Sequence, residues 1–140
     1  MNRFLGRYSA EIYAVMRMVL GFLFACHGSQ KLLGVPGSGP TMPLLSLMGL
    51  AGVIELLGGV LIAIGLEVGW AAFVASGQMA VAYFMAHAPN SFWPVVNKGE
   101  LAVVYCFVFL YLAAEGDGKW SVGAALRGSS RRQAGTAVRP

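Results

Sequence analysis

The sequence predicts an all-α integral membrane protein, a four-helix antiparallel bundle followed by a polar tail. Three observations carry that prediction. Hydrophobic residues make up 57% of the 140 and charged ones only 11%, against roughly 25% charged in ordinary soluble domains. The apolar residues gather in four runs, residues 11–33, 44–66, 69–88 and 98–115, each near the ~20 residues that cross ~30 Å of hydrocarbon. The runs lack the strict alternation of membrane strands, and only helices or closed barrels satisfy the backbone in lipid. Residues 1–115 therefore read as one membrane domain, and residues 116–140 as a basic, glycine-rich cytoplasmic tail expected to lose order towards its end.

The first helix follows Arg3 and Arg7 and stops at the Gly34-Val35-Pro36-Gly37 break. Its start imitates a basic leader, and Leu23-Phe24-Ala25-Cys26 loosely resembles a lipoprotein cleavage box. Arg17 inside the apolar run and bulky Phe24 argue against cleavage, so the helix is expected to stay. The link near Glu67-Val68-Gly69 is very short and makes the second and third helices a tight antiparallel pair. The third link, from Ala88 to Pro94, holds two prolines and the interfacial pair Phe92-Trp93.

Basic residues set the orientation. Arg3, Arg7, Lys119, Arg127, Arg131, Arg132 and Arg139 flank the outer two helices on one side, against Lys31 and Lys98 on the other. Both termini are thus expected in the cytoplasm, with residues 34–43 and 88–97 outside. The formal charge of +4 suggests no nucleic-acid partner and a tail drawn to anionic lipid.

Ionisable groups inside a bilayer cost ~2.5–3.5 kcal/mol each and need a partner or a purpose. Arg17, Gly21, Phe24, Gly28 and Lys31 form one stripe on the first helix, and the glycines permit close helix approach. Glu55 stands near the midplane between Gly52 and Gly59, and Gln78 is central in the third helix. Arg17 is expected ~9 Å and Glu55 ~16 Å from the cytoplasmic face, so a buried Arg17–Glu55 pair with Gln78 is geometrically available. The competing reading has Arg17 snorkelling to the interface. At the outer end stand His27, Gln30, Lys31, His87, Asn97, Lys98 and Glu100. There an ion pair between Lys31 and Glu100 is expected to close the mouth, with His27 facing the same cavity. Lys98 reads as interfacial, and His87 falls on the far face of an ideal helix from Gln78.

The two histidines differ by ~8 Å in expected depth and face apart, which argues against a haem. Cys26 and Cys106 lie off the polar stripes and in no CxxC or metal-ligand spacing. No metal, phosphate-loop or hydrolase motif is present, so nothing marks a standalone enzyme.

The string His27-Gly28-x-Gln30-Lys31-Leu32-x-Gly34 resembles the first-helix signature of the DoxX family of small bacterial membrane proteins. The resemblance continues through Glu55-Leu56-Leu57-Gly58-Gly59, Ala82-Tyr83-Phe84-x-Ala86-His87, Phe92-Trp93-Pro94, Asn97-x-Gly99-Glu100, Tyr111-Leu112 and Trp120-Ser121. It covers about residues 13–123. Lys98 replaces a glycine frequent in the family, and Glu67-Val68-Gly69-Trp70 lacks the family's usual basic residue. The resemblance implies a four-helix membrane bundle and an association with redox processes. Relatives include a subunit of a thiosulfate:quinone oxidoreductase and members tied to quinone or oxidative stress. The leading expectation is accordingly a redox accessory of the cytoplasmic membrane that binds a quinone or docks an oxidoreductase, singly or as an oligomer. A scaffold without chemistry is the second reading. A small-solute or proton carrier built on Arg17, Glu55 and Gln78 is the third.

Overall fold

The computed structural model describes residues 4–136, with side chains described to residue 129. Of the residues used above to set orientation, Arg3 and Arg139 lie outside the described residues, as do the side chains of Arg131 and Arg132. The last four residues of the tail, where loss of order was expected, lie outside them too.

Among the described residues the fold is all-helical. A 3-10 turn, Gly6–Tyr8, leads into α1, Ser9–Leu33. Gly34 ends α1 with φ 73°, and its N–H reaches back to the Gln30 carbonyl, the left-handed stop that glycine makes without strain. Helix α2, Leu47–Ile64, begins three residues later than the apolar run suggested. Ser46 explains the delay, because its hydroxyl accepts from Gly49 N at 3.0 Å and fixes the cap there. Helix α3 spans Val68–Ala82 and continues as a wider π turn, Tyr83–His87. Next come the single turn α4, Pro94–Asn97, and α5, Glu100–Glu115. The polar segment beyond carries a further helix, α6, Val122–Thr136, which apolar patterning could not have marked.

Among the described residues three stretches are long and apolar enough to cross a membrane: Gly6–Leu33, Leu47–Ile64 and Val68–His87. Helix α5 is shorter, at 16 residues.

Glycines set the register of α1 on α2. Gly21 lies against Gly59 and Ala63, and Gly28 lies against Gly52 and Leu56, so the two helices run in opposite directions. A methyl group on Gly28 would sit 2.6 Å from the Gly52 carbonyl oxygen, so the helices touch backbone to backbone. Helix α5 packs on α3, where the Ser76 hydroxyl donates to the Cys106 carbonyl at 2.8 Å. Between the two pairs sits an aromatic core in which the Phe24 and Phe109 rings lie 4.6 Å apart, near edge-on.

Candidate functional site

The register of α1 on α2 decides which polar groups meet. Lys31 follows Gly28 by three residues and so stands beside Gly52, with Glu55 within reach one turn along α2. Its Nζ lies 2.5 Å from Glu55 Oε1. Gln78, projecting from α3, donates through Nε2 to the same oxygen at 2.9 Å. Glu55 is 1% exposed. A buried carboxylate is tolerable here because a cation and an amide both converge on it.

Arg17 stands at the other end of α1, and the expected Arg17–Glu55 pair does not form. The side chain is 0% exposed, so the snorkelling alternative fails as well. Its guanidinium donates to the Ile62 carbonyl at 2.6 Å and Ala63 at 2.8 Å, the last turn of α2. It also donates to Trp120 at 3.0 Å and Lys119 at 3.4 Å. Carbonyls at a helix C-terminus carry partial negative charge, and a planar fork can serve several together. Arg17 is thus a clasp between α2 and the turn before α6. Asp117 in that turn accepts from Val68 N at 3.0 Å and pairs with Arg127 at 2.7 Å. Lys119 pairs with Glu11 at 2.6 Å.

The expected Lys31–Glu100 pair is also replaced, since Lys31 turns inward to Glu55. Glu100 is exposed in the first turn of α5 and in none of the three ion pairs among the described residues. Asn97 is buried and braces a loop, donating to Ser91 O at 2.6 Å and Tyr83 Oη at 3.3 Å while accepting from Gly99 N at 2.7 Å. Gln30 is exposed and donates to Pro36 O at 3.3 Å. Asn97, Gln30 and Glu100 therefore stand apart from the Lys31–Glu55–Gln78 cluster.

That cluster lies in the wall of a cavity of about 800 Å³. The cavity opens between the halves of α2 and α3 distant from their connecting turn, and α1 and α5 supply its back. Its walls are mainly apolar, with Phe24, Ile54, Phe73 and Tyr105 among them. His27 lines it as expected, with its ring edge-on to Tyr105 at 6.4 Å. His87 and Lys98 line it too. The π turn accounts for His87, because wider winding shifts the phase beyond residue 83 and defeats ideal-helix counting. Apolar runs give no signal for such a turn. Arg17, which the sequence placed in the midplane group, is not among the lining residues.

A family model described as DoxX matches residues 12–88. The chain is 38% identical over 122 residues to an "Uncharacterized protein" of Haemophilus influenzae, covering 81% of this chain and 90% of that relative. No solved structure matches it.

Proposed function

We propose that this chain, which belongs to the DoxX family, is a redox accessory of the cytoplasmic membrane that holds a quinone-class ligand between its helices. The observation that carries the reading is the Lys31–Glu55–Gln78 cluster in the wall of an apolar cavity. Ligand sites take this form, with apolar walls for the body and a few fixed polar groups for the head. Lys31 and His27 have donors for a ring oxygen, and the aromatic walls suit the ring itself. When bound, such a ligand supplies two-electron chemistry that the side chains here do not offer. The protein's part is to bind, orient and shield it.

In this reading α5 is the fourth span, completing an antiparallel four-helix bundle. Its 16 residues reach ~24 Å, and α4 and the aromatic pair Phe92-Trp93 extend it to the outer interface. Both termini then lie in the cytoplasm. The clasp around Arg17 and Asp117 holds the start of α6 at that face.

The test is what co-purifies in mild detergent. Solvent extracts of the parent should yield a quinone-class compound near one per chain. Lys31→Met combined with Glu55→Gln removes both charges together and so avoids a stranded buried ion. That variant should accumulate normally and lose at least ~10-fold of the ligand, a change of about 1.4 kcal/mol. A parent that carries nothing and takes up no added quinone would make the cluster structural glue.

A further inference from the structure

The polar groups that a ligand in the cavity can reach are cations and donors. Glu55 is the single acidic residue in its lining among the described residues. Its Oε1 already accepts from Lys31 and Gln78, and its Oε2 is sealed away from the open space. Lys31 and Lys98 also line the cavity, so two lysines against one carboxylate leave a surplus positive charge with the histidines neutral. Lys98 is exposed and takes part in none of the three ion pairs among the described residues. It closes α4 with φ 60°, a left-handed backbone that is uncommon outside glycine and collects at ligand sites. Tyr105 adds an unused donor. It is 4% exposed and lines the cavity. Among the described residues its hydroxyl has no hydrogen-bond partner, yet unlike Glu55 Oε2 it retains accessible surface. Clefts of one charge sign with apolar walls attract the opposite sign, and a buried hydroxyl without a partner favours an acceptor.

We propose that the cavity binds a long-chain fatty acid drawn from the bilayer, its carboxylate held by Tyr105 and the lysines and its chain along the apolar walls. The added carboxylate balances the charge of Lys31, Lys98 and Glu55. Its oxygens accept from Tyr105 Oη and, in a charge-assisted bond, from a lysine. Lys31 Nζ has hydrogens beyond the one given to Glu55, and its side chain is 25% exposed. The chain has a way in, because Phe73, Val81 and Met85 line the cavity and are exposed on α3 and its π turn. A space of about 800 Å³ takes one molecule of modest size. A head that must reach a tyrosine so deeply buried is small, as a carboxylate is and a glycerophosphate joined to two chains is not. The inference rests on charge and reach, and holds whether or not a ring ligand uses the same space.

The experiment is photolabelling of the purified protein in phosphatidylcholine nanodiscs with a diazirine-bearing palmitate. The label is mapped by peptide mass spectrometry and competed with palmitate, hexadecanol, hexadecylamine or phosphatidylglycerol. Label should fall on cavity residues such as Met79 and Leu101. Palmitate should displace it at a concentration at least ~10-fold lower than hexadecanol, which keeps the chain and lacks the charge. Lys98→Met and Tyr105→Phe should each narrow that gap. Lys98→Glu should reverse the charge preference, so that hexadecylamine competes better than palmitate. Label confined to the outer surface of the helices overturns the proposal. So does equal competition by hexadecanol, or a gap that survives in both Lys98→Met and Tyr105→Phe. Phosphatidylglycerol competing better than palmitate overturns it in favour of a two-chained lipid. The ring-ligand reading stands or falls separately, on what co-purifies with the parent.

Discussion

Arg17 and Lys31 are two cations on one stripe of α1, fourteen residues apart in the chain, and the structure gives them opposite tasks. Lys31 meets Glu55, while Arg17 binds only carbonyl oxygens. Double-mutant cycles read by thermal unfolding in detergent separate these roles. Lys31→Met and Glu55→Gln should be strongly non-additive, with a coupling of about 1–3 kcal/mol. Arg17→Met and Glu55→Gln should add to within ~0.5 kcal/mol, as distant sites do. Arg17→Met alone should cost about 2 kcal/mol or more, because four buried or half-buried carbonyls lose a charged donor. Coupling between Arg17 and Glu55 would restore the pairing expected from depth. Burial of Glu55 was legible in the sequence, since a carboxylate at mid-span has no water to reach. Its partner was not legible. Depth counting treats each helix separately, whereas the partner depends on how Gly21 and Gly28 seat α1 against α2.

Glycines at the element scale divide into those that bring helices together and those that face open space. Gly28 is of the first kind and Gly77 of the second, having no neighbour within 4 Å of an added methyl. Gly28→Leu should separate α1 from α2 at a cost of about 1–3 kcal/mol, seen as a lower melting temperature or lost accumulation. Gly77→Leu should be neutral or stabilising by about 0.5–1 kcal/mol, from helix propensity alone. Equal melting temperatures for the two variants would contradict the backbone contact between α1 and α2. Much of this level could be read from the chain. The first three apolar runs became helices, and the glycine stripe became an interface. The π turn at Tyr83–His87 and α6 could not be read that way, because neither leaves an apolar periodicity. The first changes phase without changing composition. The second is polar and is held by single contacts such as Asp117 to Arg127.

For the molecule as a whole, the proposed orientation places Ser38 and Asn90 outside and Ser129 inside. In a background lacking Cys26 and Cys106, cysteines at Ser38 and Asn90 should react with an impermeant reagent in intact cells. One at Ser129 should react only after lysis, and the opposite pattern would invert the topology. The larger claim is that the space between α2 and α3 is a ligand site and that the polar cluster serves it. Gly77 lines that space, and beyond its chain neighbours an added methyl meets nothing within 4 Å, so a leucine there should intrude on the cavity without a clash against Lys31 or Glu55. The most direct measurement is the ligand-to-protein ratio in solvent extracts of purified parent and Gly77→Leu, alongside their melting temperatures. The account predicts a ratio near one for the parent, at least ~10-fold less for Gly77→Leu, and no loss of intrinsic stability in the plugged variant. A plugged variant that retains the ligand at the parent ratio would contradict it.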